Sequence, residues 1–158
     1  MLSISTAKVD ITPDRPVWLD GFGNRTKRAE GAYHPLYAKA LVLDDGRRRA
    51  CLITAEVLGF DRAQSARVKD AISGVTGVPS DHVILTATHT HCAPRIRDTV
   101  MPGELEPQVQ AAFERKVLDV AAEAAGAKRQ PVAVSFSRGR GLFGVNRRLP
   151  AGRRGPNP

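Results

Sequence analysis

Residues 51–88 change hydrophobic period twice, and this narrows the fold more than any other feature of the chain. Cys51–Val57 reads as an apolar strand. Asp61–Val75 follows, with Val68, Ile72 and Val75 at spacings of four and three and Arg62, Arg67 and Lys69 outside. That pattern predicts an amphipathic helix, stopped by Gly74 and Gly77-Val78-Pro79. His82–Thr88 is apolar and β-branched again. Strand, helix and strand in this order predict a βαβ unit with parallel strands and a right-handed crossover. The class is therefore α/β.

The flanks fill out a mixed sheet with flanking helices. Ser5–Thr12 reads as a strand ending at Asp10-Ile11-Thr12-Pro13. Residues 14–36 carry Gly, Pro and Arg without a period and predict a long loop, with a turn at Leu19-Asp20-Gly21-Phe22-Gly23. Leu36–Leu43 and Ala50–Val57 are joined by Asp44-Asp45-Gly46, a hairpin signal. Pro107 opens the longest helix, with a stripe of Val109, Phe113, Val117, Val120 and Ala124 and a stop at Gly126. Val132–Ser137 alternates as a strand would, and no period is visible from Gly139 on. A length of 158 residues fits one domain or part of one. No capping element closes the C-terminus, so the expectation is a chain that stops in mid-domain.

Apolar residues at 42% and charged residues at 25% are enough for a packed core. No apolar run reaches the length of a membrane span. Met1–Thr6 has no positive region followed by a long apolar one, so no signal peptide is visible and cytoplasmic location is the default expectation. A net charge of +8 raises nucleic acid and anionic membranes as partners. Arg47-Arg48-Arg49 sits at a hairpin turn and reads as solvated. Arg138, Arg140, Arg147, Arg148, Arg153 and Arg154 lie in glycine-rich sequence with only Phe143 as an aromatic, which is poor material for stacking bases. The expectation is no nucleic acid, with contact to a membrane surface left open. Cys51 reads as a small core residue, and Cys92 as a loop residue near the site without a metal-knuckle spacing.

His89-Thr90-His91 follows the strand that closes the βαβ unit, and loop residues Pro94 and Pro102-Gly103 come after it. Ligands of open α/β sheets bind beyond the carboxyl ends of the strands. Histidine is a frequent metal ligand and general base. If the strand continues, residues two apart share a face. If the chain has turned, the pair caps a strand and bonds local carbonyls. Both readings stand on the residues alone.

Several segments in order resemble a known family. They are Ala7-Lys8-Val9-Asp10-Ile11-Thr12-Pro13, Gly21-Phe22, Leu36–Leu43, Thr86-Ala87-Thr88-His89-Thr90-His91, Val145-Asn146-Arg147-Arg148 and Gly155-Pro156-Asn157-Pro158. Together the chain resembles the N-terminal part of the neutral/alkaline non-lysosomal ceramidases. The resemblance implies a zinc-dependent amide hydrolase acting on N-acyl lipids or related compounds. It implies His89 as a zinc ligand, His91 as a catalytic proton-handling or orienting group, and Asn146 and Arg147 on the substrate side. Glu56 stands where the family has an aspartate, and Glu56 or Asp10 is expected to support the histidines. The pair is expected at one rim of an open cleft. Cys92-Ala93-Pro94-Arg95 replaces the family's Ser-Gly-Pro-Gly, and Arg95 is expected to crowd the substrate's approach. The family's remaining zinc ligands and its serine lie beyond the matching segments, so the 158-residue chain alone is expected to be inactive. His34 and His82 are poor substitutes. Ser80, Ser135 and Ser137 lack a nucleophile motif. Two other readings compete. One is a different metal-dependent hydrolase or phosphoesterase using His89, His91 and Glu56 or Asp98. The other is a basic binding module without chemistry.

Overall fold

A computed structural model describes residues 1–141 of the chain. Five strands form one open sheet in the order β4-β3-β2-β1-β5. They are β1 (Ser3–Asp10), β2 (Tyr37–Asp44), β3 (Arg49–Ala55), β4 (Val83–Ala87) and the short β5 (Gln130–Pro131). Two helices, α1 (Arg62–Thr76) and α2 (Pro107–Gly126), complete the fold. β3 and β4 pair in parallel from Cys51↔Val83 to Ala55↔Ala87, with α1 as the crossover. The βαβ unit read from the period change is therefore present. The hairpin is present too, with β2 antiparallel to β3 from Ala38↔Ala55 to Asp44↔Arg49.

Burial alternates along the strands, so the sheet has one packed face. Ala38, Ala40 and Val42 of β2 and Cys51, Ile53 and Ala55 of β3 join Val68 and Ile72 of α1 and Phe113, Val117 and Val120 of α2 in one core. The opposite face carries Leu41, Leu52 and Ile84 in register across three strands. Ile84 is 54% exposed. No helix among the described residues is long and apolar enough to cross a membrane.

Two expectations change. Val75 does not belong to the buried stripe of α1 and is 49% exposed. The buried face runs instead through Gln64, Val68, Ile72 and Thr76. Their donors are used inside: Gln64 Nε2 donates to the Ile96 carbonyl at 2.8 Å and to Glu114 at 3.1 Å, and Thr76 Oγ1 donates to the Ile72 carbonyl at 2.7 Å, while Gln64 Oε1 has no partner among the described residues. Val132–Ser137 is not a strand. β5 pairs with β1 at Ser3↔Pro131, and the Val132 amide still reaches the Leu2 carbonyl. Beyond that contact Val134 and Phe136 are both exposed.

Candidate functional site

The parallel pair β3–β4 sets up the site. The Thr88 amide donates to the Ala55 carbonyl at 3.1 Å, one step past the last paired residues. The chain then leaves the sheet. His89 has φ of 61°, the one positive φ at a non-glycine among the described residues. This left-handed backbone costs an L-residue about 1–2 kcal/mol. The histidines therefore do not share a face through strand alternation. The turn itself brings them together, with ring centroids 5.3 Å apart and planes at 74°.

His89 Nδ1 lies 2.7 Å from the carbonyl of Leu58, just beyond β3. A carbonyl only accepts, so Nδ1 carries the hydrogen and Nε2 of the neutral ring keeps its lone pair. The side chain is exposed and makes no other hydrogen bond among the described residues. A ring anchored by one nitrogen to a carbonyl, with the other nitrogen free, is the arrangement of a metal-ligating histidine.

His91 sits in a cup made by the long loop. Leu19 forms a bridge with Pro94. The Asp20 amide donates to Ala93 at 3.0 Å and the Arg95 amide to Trp18 at 2.8 Å. This seam lays Gly21 and Phe22 on the imidazole. Phe22 meets it edge-on at 4.8 Å. Gly21 has φ of 100°, and a Cβ there would stand 2.5 Å from His91 Cγ. Asp20 is 1% exposed, accepts from the Gly21 amide at 2.8 Å and faces Arg97 Nε at 3.4 Å. Gly21→Ala is thus expected to lower stability by about 1–2 kcal/mol through backbone strain and to push the imidazole aside. Urea denaturation measures the first effect, and the loss of Phe22–His91 ring contacts by NMR measures the second. Unchanged ring contacts would contradict the close packing.

Beside the pair lies a groove of about 940 Å³, lined among others by Arg25, His34, Glu56, Thr90 and Cys92. The residues that alternate with the histidines, Thr90 and Cys92, face it; the imidazoles do not line it. Glu56 accepts from the Tyr37 amide at 3.0 Å and stands 3.6 Å from Lys39 Nζ. Asp10 accepts from the Thr12 amide at 2.7 Å. Hydrogen bonds from the Thr12 side chain and amide hold the Asp10 carboxyl below the usual aspartate range. Neither carboxylate bonds an imidazole among the described residues; the Leu58 carbonyl fills that place for His89.

The remaining candidates are dispersed. Asn146 and Arg147 lie outside the described residues. His82 stands at the opposite end of β4, half-buried, with Nδ1 3.0 Å from the Arg49 carbonyl. Cys51 is fully buried, and burial pushes its thiol up. Cys92 is exposed at the groove.

Arg95 does not crowd the approach to the site. It is 6% exposed and turned inward, donating to the carbonyls of Thr99 at 2.6 Å, Met101 at 2.7 Å and Gly103 at 2.6 Å. The guanidinium is thereby the hub of the 95–103 loop. Asp98 is 92% exposed and leans on Arg95 at 3.4 Å. Among the described residues no group of three His, Cys, Asp or Glu side chains could hold a metal ion, so a set of His89, His91 and Glu56 or Asp98 does not assemble.

No known protein family's sequence profile matches the chain. Two ceramidases are among the solved structures that share its fold. The neutral ceramidase from Pseudomonas aeruginosa superposes with a TM-score of 0.69 at 20% identity over 82% of this chain. A ceramidase complexed with C2 superposes with a TM-score of 0.65 at 21% identity over 82% of this chain. At these identities the likeness is one of fold. The chain covers 22% of the length of each.

Proposed function

We propose that this chain contributes the first metal donor and an adjoining proton-handling histidine to a zinc-dependent amide hydrolase. The substrates of that enzyme are N-acyl lipids or related N-acyl compounds. The observation that carries this reading is the His89 ring, fixed through Nδ1 on the Leu58 carbonyl with Nε2 free, at the carboxyl ends of two parallel strands. The fold shared with two ceramidases supports the reaction class.

In this reading His89 Nε2 holds the zinc. Bound zinc polarises a carbonyl and lowers the pKa of its water to about 7. His91, with its ring 5.3 Å from that of His89, orients the reacting groups and accepts or returns a proton beside the metal. The groove past Thr90 and Cys92 has room for a substrate arm. Asn146 and Arg147 are assigned to the polar end of the substrate, as the resemblance implies. A catalytic zinc takes about three protein ligands. The described residues offer one, so the others are expected from outside them.

The test compares the 158-residue chain with the full gene product on a panel of N-acyl substrates, with and without a chelator. The expected result is chelator-sensitive hydrolysis by the full gene product and none by the 158-residue chain. Turnover by the short chain at a rate like that of the full product would overturn the reading of a partial site. Chelator-insensitive turnover by both would overturn the metal.

A further inference from the structure

Among the described residues Arg25 pairs with no carboxylate. Its Nη2 donates to the His91 carbonyl at 2.6 Å, its buried Nε–H has no partner among those residues, and its guanidinium lies 5.2 Å from the centre of the Phe22 ring. Phe22 is 48% exposed and meets the His91 imidazole edge-on at 4.8 Å. Arg25 therefore touches both ends of one residue, the His91 backbone directly and the His91 ring through Phe22. The other wall of the cup is Gly21, where even a methyl group would collide with the ring. Across 66 residues of sequence, one guanidinium spans the distance between the loop and the turn.

We propose that Arg25 is a positioning residue for His91. Its bond to the carbonyl fixes the turn, and its stacking pins Phe22 so that the imidazole holds one orientation beside His89. The role rests on the amide-hydrolase reading for its purpose but not for its geometry. A half-exposed phenylalanine has little reason to stay against a histidine unless something flanks it, and Arg25 is the flanking group. Arg25 also lines the groove, so the device sits between the space for substrate and the proton-handling ring.

The test uses the labelled 158-residue chain and three variants. Arg25→Met keeps the length and removes the donor and the charge. It is expected to abolish the inter-ring NOEs between Phe22 and His91 and to leave other amide resonances in place. Arg25→Lys retains a cation and a donor and is expected to restore part of the NOE intensity. Phe22→Leu guards against a folding defect, because it keeps the bond to the carbonyl and is expected to loosen the imidazole alone. In the full gene product, Arg25→Met is expected to lower kcat about tenfold or more with KM within about twofold, as misplacement of a catalytic group does. Intact NOEs in Arg25→Met, or a His91 ring as ordered in Phe22→Leu as in the unchanged chain, would overturn the positioning role even if amides are hydrolysed. NOEs that respond as expected, in a gene product that hydrolyses no amide, would leave the clamp standing and overturn the functional reading instead.

Discussion

Replacing His89 by glycine is expected to abolish the proposed amide hydrolysis while leaving the fold about as stable as before. His89 is held at φ of 61°. Glycine relieves a backbone penalty of about 1–2 kcal/mol at such a position. The change also removes the bond from Nδ1 to the Leu58 carbonyl, worth about 0.5–1.5 kcal/mol net. The two terms nearly cancel, so urea midpoints should agree to within about 1 kcal/mol. Alanine keeps the strain and loses the bond, and should be less stable than glycine by about 1 kcal/mol or more. Activity should separate from stability altogether. Residues that merely orient a ligand cost about 10–100-fold in metal affinity or activity when changed, so loss of the ligand itself should exceed about 100-fold. The measurements are zinc content and turnover of the full gene product, and urea curves of all three proteins. A glycine variant that retains both zinc and turnover would remove His89 from the metal. A glycine variant much less stable than the alanine one would show that the left-handed turn is not strained. Strain kept at a residue that a glycine could relieve is what a functional position tends to show.

Arg95→Met is expected to have the largest effect on stability. The side chain satisfies three carbonyls within a loop that is otherwise irregular. Hydrogen bonds from a charged donor contribute about 1.5–3 kcal/mol, and each buried acceptor left unpaired costs about 1–3 kcal/mol. Even after relaxation and partial hydration, a loss of about 3 kcal/mol or more is expected. For a chain of this length that corresponds to about 6–12 °C in Tm. Lysine cannot take over, because three carbonyls arranged around one planar fork need several fixed donors. The damage should spread toward the site. The Arg95 amide bonds the Trp18 carbonyl, and Gly103, at φ of 94°, lies against the Trp18 ring so closely that a Cβ would stand 2.4 Å from Cδ2. Loss of the hub should therefore loosen the Leu19–Pro94 seam and with it the cup around His91. Thermal denaturation of Arg95→Met and Arg95→Lys measures the first effect. A fall of less than about 1 kcal/mol in both variants would show that solvent replaces the guanidinium without cost.

Hydrophobic periodicity carried the sheet and the helices, because strand and helix periods in 51–88 and 107–126 have no competing reading. It failed where partners decide. Val132–Ser137 has a strand's alternation, but its contact with β1 ends at Pro131 and the Val132 amide, and Val134 and Phe136 stand exposed. Val75 has a core residue's chemistry, but the helix turns it out and places Gln64 and Thr76 inside, their donors bonded to carbonyls. The histidine pair was legible as a pair, and its position at the end of β4 was legible from the order of elements. The turn at His89 was not, since nothing in Thr88-His89-Thr90 announces a left-handed residue. Residues 14–36 have no period at all, and their contribution depends on a two-residue seam with Pro94. For that reason Phe22 and Arg25 could not be assigned to His91 from spacing; only the Gly21-Phe22 step of the family resemblance hinted at the place. Arg95 was read as an obstacle because it stands where the resembled family has a glycine, whereas three carbonyls hold it inside.

The sheet has two faces under different rules. On one, Ile53 and Val42 are locked between strands and helices, and each change of volume is felt throughout the core. On the other, the row Leu41, Leu52 and Ile84 meets no helix of the described residues. A population of this chain evolving under selection for solubility alone would therefore change unevenly. Threonine or glutamine would accumulate along that row, each strand keeping its β propensity, while the helix side stayed apolar. The sequence record of such a population would separate the two faces residue by residue, as a barcode with a period of two.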